Sequence, residues 1–144
     1  MPRVVFDTNT IVSAMFWRAA PYLALQAIRQ KKAVLLSTEA LIAELAKVLP
    51  RKKFSTRLSA LQTTPDQLLN DYRAIIEVVE PVAIPPDAAD DPDDIAVLAC
   101  AVGGQADYII TGDDDLLRLK TYQNIPIWTA RQFCELLEQE DQHT

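Results

Sequence analysis

Histidine is nearly missing from this sequence: the only one is His143, next to the last of 144 residues, where order is not expected. Triads built on an imidazole, His-dependent zinc sites and His acid–base catalysis are thereby set aside. Carboxylates must carry any catalysis. Glycine is almost as scarce, at Gly103, Gly104 and Gly112 alone, and neither G-x-G-x-x-G nor G-x-x-x-x-G-K-S/T occurs, so nothing cradles a dinucleotide or triphosphate in the usual way. The two cysteines, Cys100 and Cys134, have no C-x-x-C spacing and read as small buried hydrophobes with reduced thiols. No apolar run approaches the ~18 residues a membrane span needs. The start, Met1-Pro2-Arg3-Val4-Val5-Phe6-Asp7, enters a strand with no signal peptide ahead of it, so a cytoplasmic protein without a membrane segment is expected.

What is present suits one domain. A chain of this length buries about 70% of its unfolded surface, and 49% hydrophobic residues suffice for a core. Strands are expected at Arg3–Phe6, Ala33–Leu36, Val78–Ala83, Tyr108–Thr111 and Ile125–Trp128. Between them lie helical patterns over Thr10 to Phe16, Pro21 to Gln30, Ser37 or Thr38 to Leu49, Thr64-Pro65 to Glu77, Asp91-Pro92 to Gly103-Gly104, and Asp114 to Leu119. Arg51 to Phe54 reads as a short helical turn, and a Thr129-capped helix closes a single domain over 1–139, leaving 140–144 as a tail. Alternating strands and helices imply an α/β fold with a mainly parallel sheet covered on both faces.

In such open sheets ligands bind beyond the carboxyl ends of the strands. Asp7 directly follows Val4-Val5-Phe6, and Asp113 follows Tyr108-Ile109-Ile110-Thr111. Asp94 shares a helical face with Leu98 and Ala101, which turns it inward. Glu44 borders the stripe of Leu41, Ile42, Leu45, Val48 and Leu49. Each acid also has an ordinary use: Asp91, Asp93 and Asp94 suit a helix cap, Glu44 could pair with Lys47 at i+3, and Asp113-Asp114-Asp115 could be a turn and cap. Asp7, placed after three apolar residues, is the hardest to explain structurally. Gathered at one sheet edge, such acids can hold Mg²⁺ or Mn²⁺ and support metal-dependent cleavage of a phosphodiester.

The residues also match a known family in order and over nearly the whole chain. Asp7-Thr8-Asn9 is followed by Ser37 to Glu44, which leads into Val48-Leu49-Pro50-Arg51-Lys52-Lys53-Phe54. Asp91-Pro92-Asp93-Asp94 precedes Leu98-Ala99-Cys100-Ala101, and Ala106 to Asp113 precedes Asp115-Leu116-Leu117. In these blocks the chain resembles PIN-domain ribonucleases, specifically the VapC-like toxin components of bacterial and archaeal toxin–antitoxin pairs. The resemblance implies a three-layer α/β/α fold with a five-stranded parallel sheet, and RNA cleavage by metal-activated water. Asp7, Glu44, Asp94 and Asp113 then match the family's metal-binding acids, with Asp115 as an accessory ligand. Thr111 and Asn9 match its supporting polar residues. The run of three aspartates leaves the fourth acid ambiguous, and Asp113 ranks first because it lies closest to the strand end.

Fourteen Lys and Arg against 20 Asp and Glu give a net charge of −6, unusual for a protein with an RNA substrate. Lys47, Arg51, Lys52, Lys53 and Arg57 nevertheless form a local basic run. Arg51, Lys52 and Lys53 are therefore candidate RNA-binding residues, or else a solvated helix end with cations near its C-terminus. Phe16, Trp17 and Trp128 suit packing better than base stacking. The apolar helices at 38–49 and 65–77 could pair with a second copy, giving a dimer, or with an antitoxin protein, as the resemblance implies. The main alternative is a catalytically silent PIN-like module that binds RNA or protein. A HAD-type phosphatase would need an aspartate where Asn9 stands, and a receiver domain a lysine where Trp128-Thr129 stand.

Overall fold

Val4-Val5-Phe6 offers no polar residue to solvent, which only a strand covered on both faces tolerates. In the computed structural model, which describes residues 1–142 and the side chains of 1–140, this run is β1 (Arg3–Phe6), in the middle of a sheet. The chain continues through α1 (Thr8–Phe16), α2 (Ala20–Arg29), β2 (Val34–Ser37), α3 (Glu39–Val48), a 3₁₀ turn (Lys52–Phe54), α4 (Ser55–Ala60), α5 (Pro65–Ile75) and β3 (Ile76–Val78). Then come α6 (Pro92–Gly103), β4 (Tyr108–Ile110), α7 (Asp114–Leu117), β5 (Thr121–Tyr122), β6 (Ile125–Trp128) and α8 (Ala130–Gln142). The strand order is β3-β2-β1-β4-β6-β5. The first five in that order are parallel and β5 pairs antiparallel with β6.

The period-2 alternation of strand side chains divides the core in two. Val4, Phe6, Leu35 and Ile110 pack with Ile11, Phe16, Leu25 and Phe133 on one face. Val5, Leu36, Ile109 and Ile127 pack with Val97, Leu98, Cys100 and Ala101 on the other. The result is a three-layer α/β/α sandwich. From β1 the chain steps outward to β2 and β3 on one side and then returns through α6 to β4 on the other side of β1, and this switch point opens a crevice at the carboxyl ends of β1 and β4. No single helix among the described residues is long and apolar enough to cross a membrane.

Several elements differ from the sequence-based expectation. The sheet has a sixth strand, β5, joined to β6 through Gln123 and Asn124 at φ 46° and 67°. The expected strand at 78–83 is instead Ile76–Val78, paired through Ile76 with Leu35. After Val79, whose N–H donates to the Ser37 carbonyl, the chain leaves the sheet and crosses α6, where the Val82 N–H reaches the Ala99 carbonyl at 3.2 Å. Gly103 makes that crossing possible, because a Cβ there would lie 2.0 Å from the Glu80 carbonyl oxygen. Helix α6 ends at Gly103 with Gly104 as its C-cap, as expected, and the left-handed residue that follows is Gln105, at φ 55°. Helix α4 was not foreseen, and α8 continues to Gln142, past the expected start of a tail at 140. His143 and Thr144 lie outside the described residues.

Local details follow from residue chemistry. Thr129 and Gln132 cap α8 reciprocally: the Gln132 N–H donates to Thr129 Oγ1 at 3.2 Å, and the Thr129 N–H to Gln132 Oε1 at 2.8 Å. Phe16 stacks on Phe54 at 5.0 Å and Trp128 on Tyr108 at 4.5 Å. Both cysteines are free thiols, and burial pushes Cys100 up to about 12, which keeps it protonated and unreactive.

Candidate active site

Asp7 is positioned by two elements at once. It follows β1 and caps α1, its Oδ1 accepting the Thr10 N–H at 3.0 Å. Its Oδ2 accepts the Thr111 hydroxyl at 2.5 Å. The same hydroxyl oxygen accepts the Asp113 N–H at 3.0 Å, so Thr111 ties the end of β1 to the loop after β4. Asp7 is only 7% exposed, and this pair of donors holds its carboxylate in a fixed orientation.

Asp94 lies in the first turn of α6, whose N-cap Asp91 accepts the Asp93 N–H through Oδ1 at 2.9 Å. Val97, Leu98 and Ala101 are buried against the sheet and turn that face of the helix inward, leaving Asp94 6% exposed. A carboxylate near a helix N-terminus ordinarily ionises easily. Here burial, and then the negative charges of Asp113, Asp91, Asp7 and Asp115, push Asp94 up to about 6. Glu44 is half-buried on α3, beside the buried Leu45 and Val48. Burial raises its carboxyl above the ordinary range; a Thr8 hydroxyl hydrogen bond opposes this, while the carboxyls of Asp93 and Asp91 reinforce it. Like charges gathered in one crevice produce such shifts.

Asp7, Glu44, Asp94 and Asp113, from four separate segments, line one cavity of about 180 Å³ together with Asn9 and Arg51. Thr8, Asp91 and Asp93 complete its polar wall. Thr8 is the wall residue with no role assigned from the sequence, where its position between Asp7 and Asn9 is the available signal; Asp93 is expected there only as a helix-capping residue. Asp113 is the member of the aspartate run that faces the cavity. It also caps α7 through the Asp115 N–H at 2.9 Å, whereas exposed Asp115 pairs with Arg118 and does not line the cavity. Lys52 and Lys53 are exposed on the 3₁₀ turn next to Arg51, with Lys53 over the Phe54 ring. Arg57 is half-buried, its Nε donating to the Phe16 carbonyl at 2.6 Å.

Among the described residues, no three His, Cys, Asp or Glu side chains are already drawn together tightly enough to hold a metal ion. Their chemistry nevertheless suits a hard divalent cation, which needs only one or two direct carboxylates and keeps several of its waters. The cavity has room for such a hydrated ion, and hard oxygen donors with no thiolate or imidazole beside them select against softer metals.

A family model described as PIN domain matches residues 3–115. Among solved structures, the chain is similar to that of VapBC2 from Rickettsia felis bound to a DNA fragment from their promoter. The TM-score is 0.58 at 15% identity, covering 87% of this chain and 96% of that one. At that identity the likeness concerns the fold. No curated protein sequence matches the chain.

Proposed function

Since the chain belongs to the PIN domain family, we propose that it is a metal-dependent endoribonuclease, the toxin of a toxin–antitoxin pair acting in the cytoplasm. The observation that carries this reading is the convergence of Asp7, Glu44, Asp94 and Asp113 on one cavity at the switch point of the sheet. Their carboxylates would hold Mg²⁺ or Mn²⁺, with Asp115 close enough to contribute charge. When bound, the ion lowers the pKa of a coordinated water and stabilises charge on the phosphate.

The protein's own groups prepare that chemistry. Thr111 and the Thr10 N–H orient the Asp7 carboxylate, as supporting hydrogen bonds do around metal-binding residues, and Thr8 lies on the cavity wall with Glu44. Asn9, an exposed residue on the cavity wall, presents an amide to the phosphate or to a neighbouring acid. Asp94, buried in the first turn of α6 and lining the cavity, would complete the carboxylate set that holds the ion. Arg51 is the cation on the cavity wall, and with Lys52 and Lys53 it supplies positive charge for the RNA backbone beside otherwise repelling acids. An antitoxin protein and a second copy of the chain are the proposed partners.

The test is incubation of purified protein with defined RNAs in Mn²⁺, in Mg²⁺ and with chelator. Endonucleolytic products that require metal and disappear in Asp94→Asn support the proposal. RNA binding with no cleavage under any metal would identify a silent module instead.

A further inference from the structure

Asp7, Asn9 and Asp113 each face two cavities. Besides the acidic one, they line a larger cavity of about 490 Å³ whose wall includes Ser13, Pro21, Gly112, Thr129 and Arg131. We propose that this second cavity is the subsite for one ribonucleotide adjoining the scissile phosphate, an inference that rests on the nuclease reading of the acidic cavity.

Size, chemistry and continuity support this occupant. Cavities of about 300–1,000 Å³ accommodate small organic ligands, a range that includes a nucleotide, whereas the acidic cavity of about 180 Å³ suits a hydrated ion and a phosphate. The larger wall carries no acid beyond the shared Asp7 and Asp113. Asn9 and Ser13 offer neutral donors and acceptors of the kind that meet a ribose or a base edge, and Pro21 offers an apolar surface for a base. Arg131 adds a cation. Its side chain is 84% exposed and, among the described residues, held by an i,i+4 contact to Glu135 at 3.3 Å, a weak restraint that a phosphate or base could replace. Arg51 lines one cavity and Arg131 the other. Each cavity thus has one arginine on its wall for the phosphates of a strand running through both.

Gly112 gives the inference a clean test. A Cβ added there would meet nothing within 4 Å, and its φ is not positive. The missing side chain serves neither packing nor backbone conformation, and what it leaves is open wall. Gly112→Leu should project into the cavity without disturbing the fold.

The experiment is fluorescence anisotropy of a labelled hexaribonucleotide in the Asp94→Asn background, where the strand is not cut. Adding Gly112→Leu should weaken binding at least ~10-fold with the melting temperature unchanged, and adding Arg131→Ala should weaken it ~3-fold. Affinities equal to the parent in both variants would overturn the subsite. If Gly112→Leu lowers the melting temperature, Arg131→Ala decides alone. A protein without Asp94→Asn that fails to cut RNA in Mn²⁺, while the binding losses hold, would refute the nuclease reading and reduce the second cavity to an RNA-binding site with no scissile phosphate beside it.

Discussion

Removing the Asp94 charge should stabilise the metal-free protein while destroying its activity. The ordinary aspartate value is 3.8, and burial with four neighbouring carboxylates pushes this group up to about 6. At about 1.4 kcal/mol per pKa unit the ionised form is disfavoured by about 3 kcal/mol, and screening by water and salt at an open cavity reduces this to about 1–2 kcal/mol. The folded-state value is raised, so the protonated carboxyl contributes stability that is fully present below 3.8 and lost as pH rises through about 6. Asp94→Asn is neutral throughout. With chelator at pH 7.5 the variant should therefore melt about 3–6 °C above wild type. At pH 5 about half of that difference should remain, and near pH 3.5 almost none. Mn²⁺ should reverse the order at pH 7.5 by raising the wild-type transition more than that of the variant. Differential scanning calorimetry at three pH values, with and without metal, measures all of this. A variant no more stable than wild type in chelator at pH 7.5 would refute the electrostatic reasoning.

Other changes test other parts of the structure. Thr111→Val removes the hydroxyl shared by Asp7 and the Asp113 N–H; it should cost about 1–3 kcal/mol in urea unfolding and lower cleavage about 10–100-fold. Gly103→Ala drives a Cβ against the Glu80 carbonyl and should destabilise the fold by about 3 kcal/mol, read from the same urea midpoints, with no direct effect on the acidic cavity. Replacing Arg51, Lys52 and Lys53 together by alanine should weaken RNA binding and flatten the log–log salt dependence by about 2 if all three meet phosphates. An unchanged slope in filter-binding measurements would remove the basic run from the interface.

Much of the architecture was legible because strand and helix periods differ. Val4-Val5-Phe6 and Tyr108-Ile109-Ile110 could only be buried strands, and Thr64-Pro65 and Asp91-Pro92 carry both a cap and a first-turn proline, which fixed two helix starts. The β5–β6 hairpin was hidden because its turn uses Gln123-Asn124 at positive φ without the glycine that usually announces such a turn. The edge strand was misplaced because Val78, Val79 and Val82 look like strand residues. Which of them pair is decided by Gly103, more than 20 positions away in sequence, admitting the chain over α6. At the site, a strand-ending aspartate such as Asp7 announces itself. The choice among Asp113, Asp114 and Asp115 does not, because adjacent identical side chains are separated only by the direction in which the turn after β4 aims them. Nor could the sequence show that Thr111 links two acids, since that contact spans 104 positions.

The most direct measurement is anomalous diffraction from crystals of the protein grown with Mn²⁺. An anomalous peak is expected inside the cavity lined by Asp7, Glu44, Asp94 and Asp113, absent in Asp7→Asn. Crystals saturated with Mn²⁺ whose peaks all lie elsewhere, with that cavity empty, would contradict it.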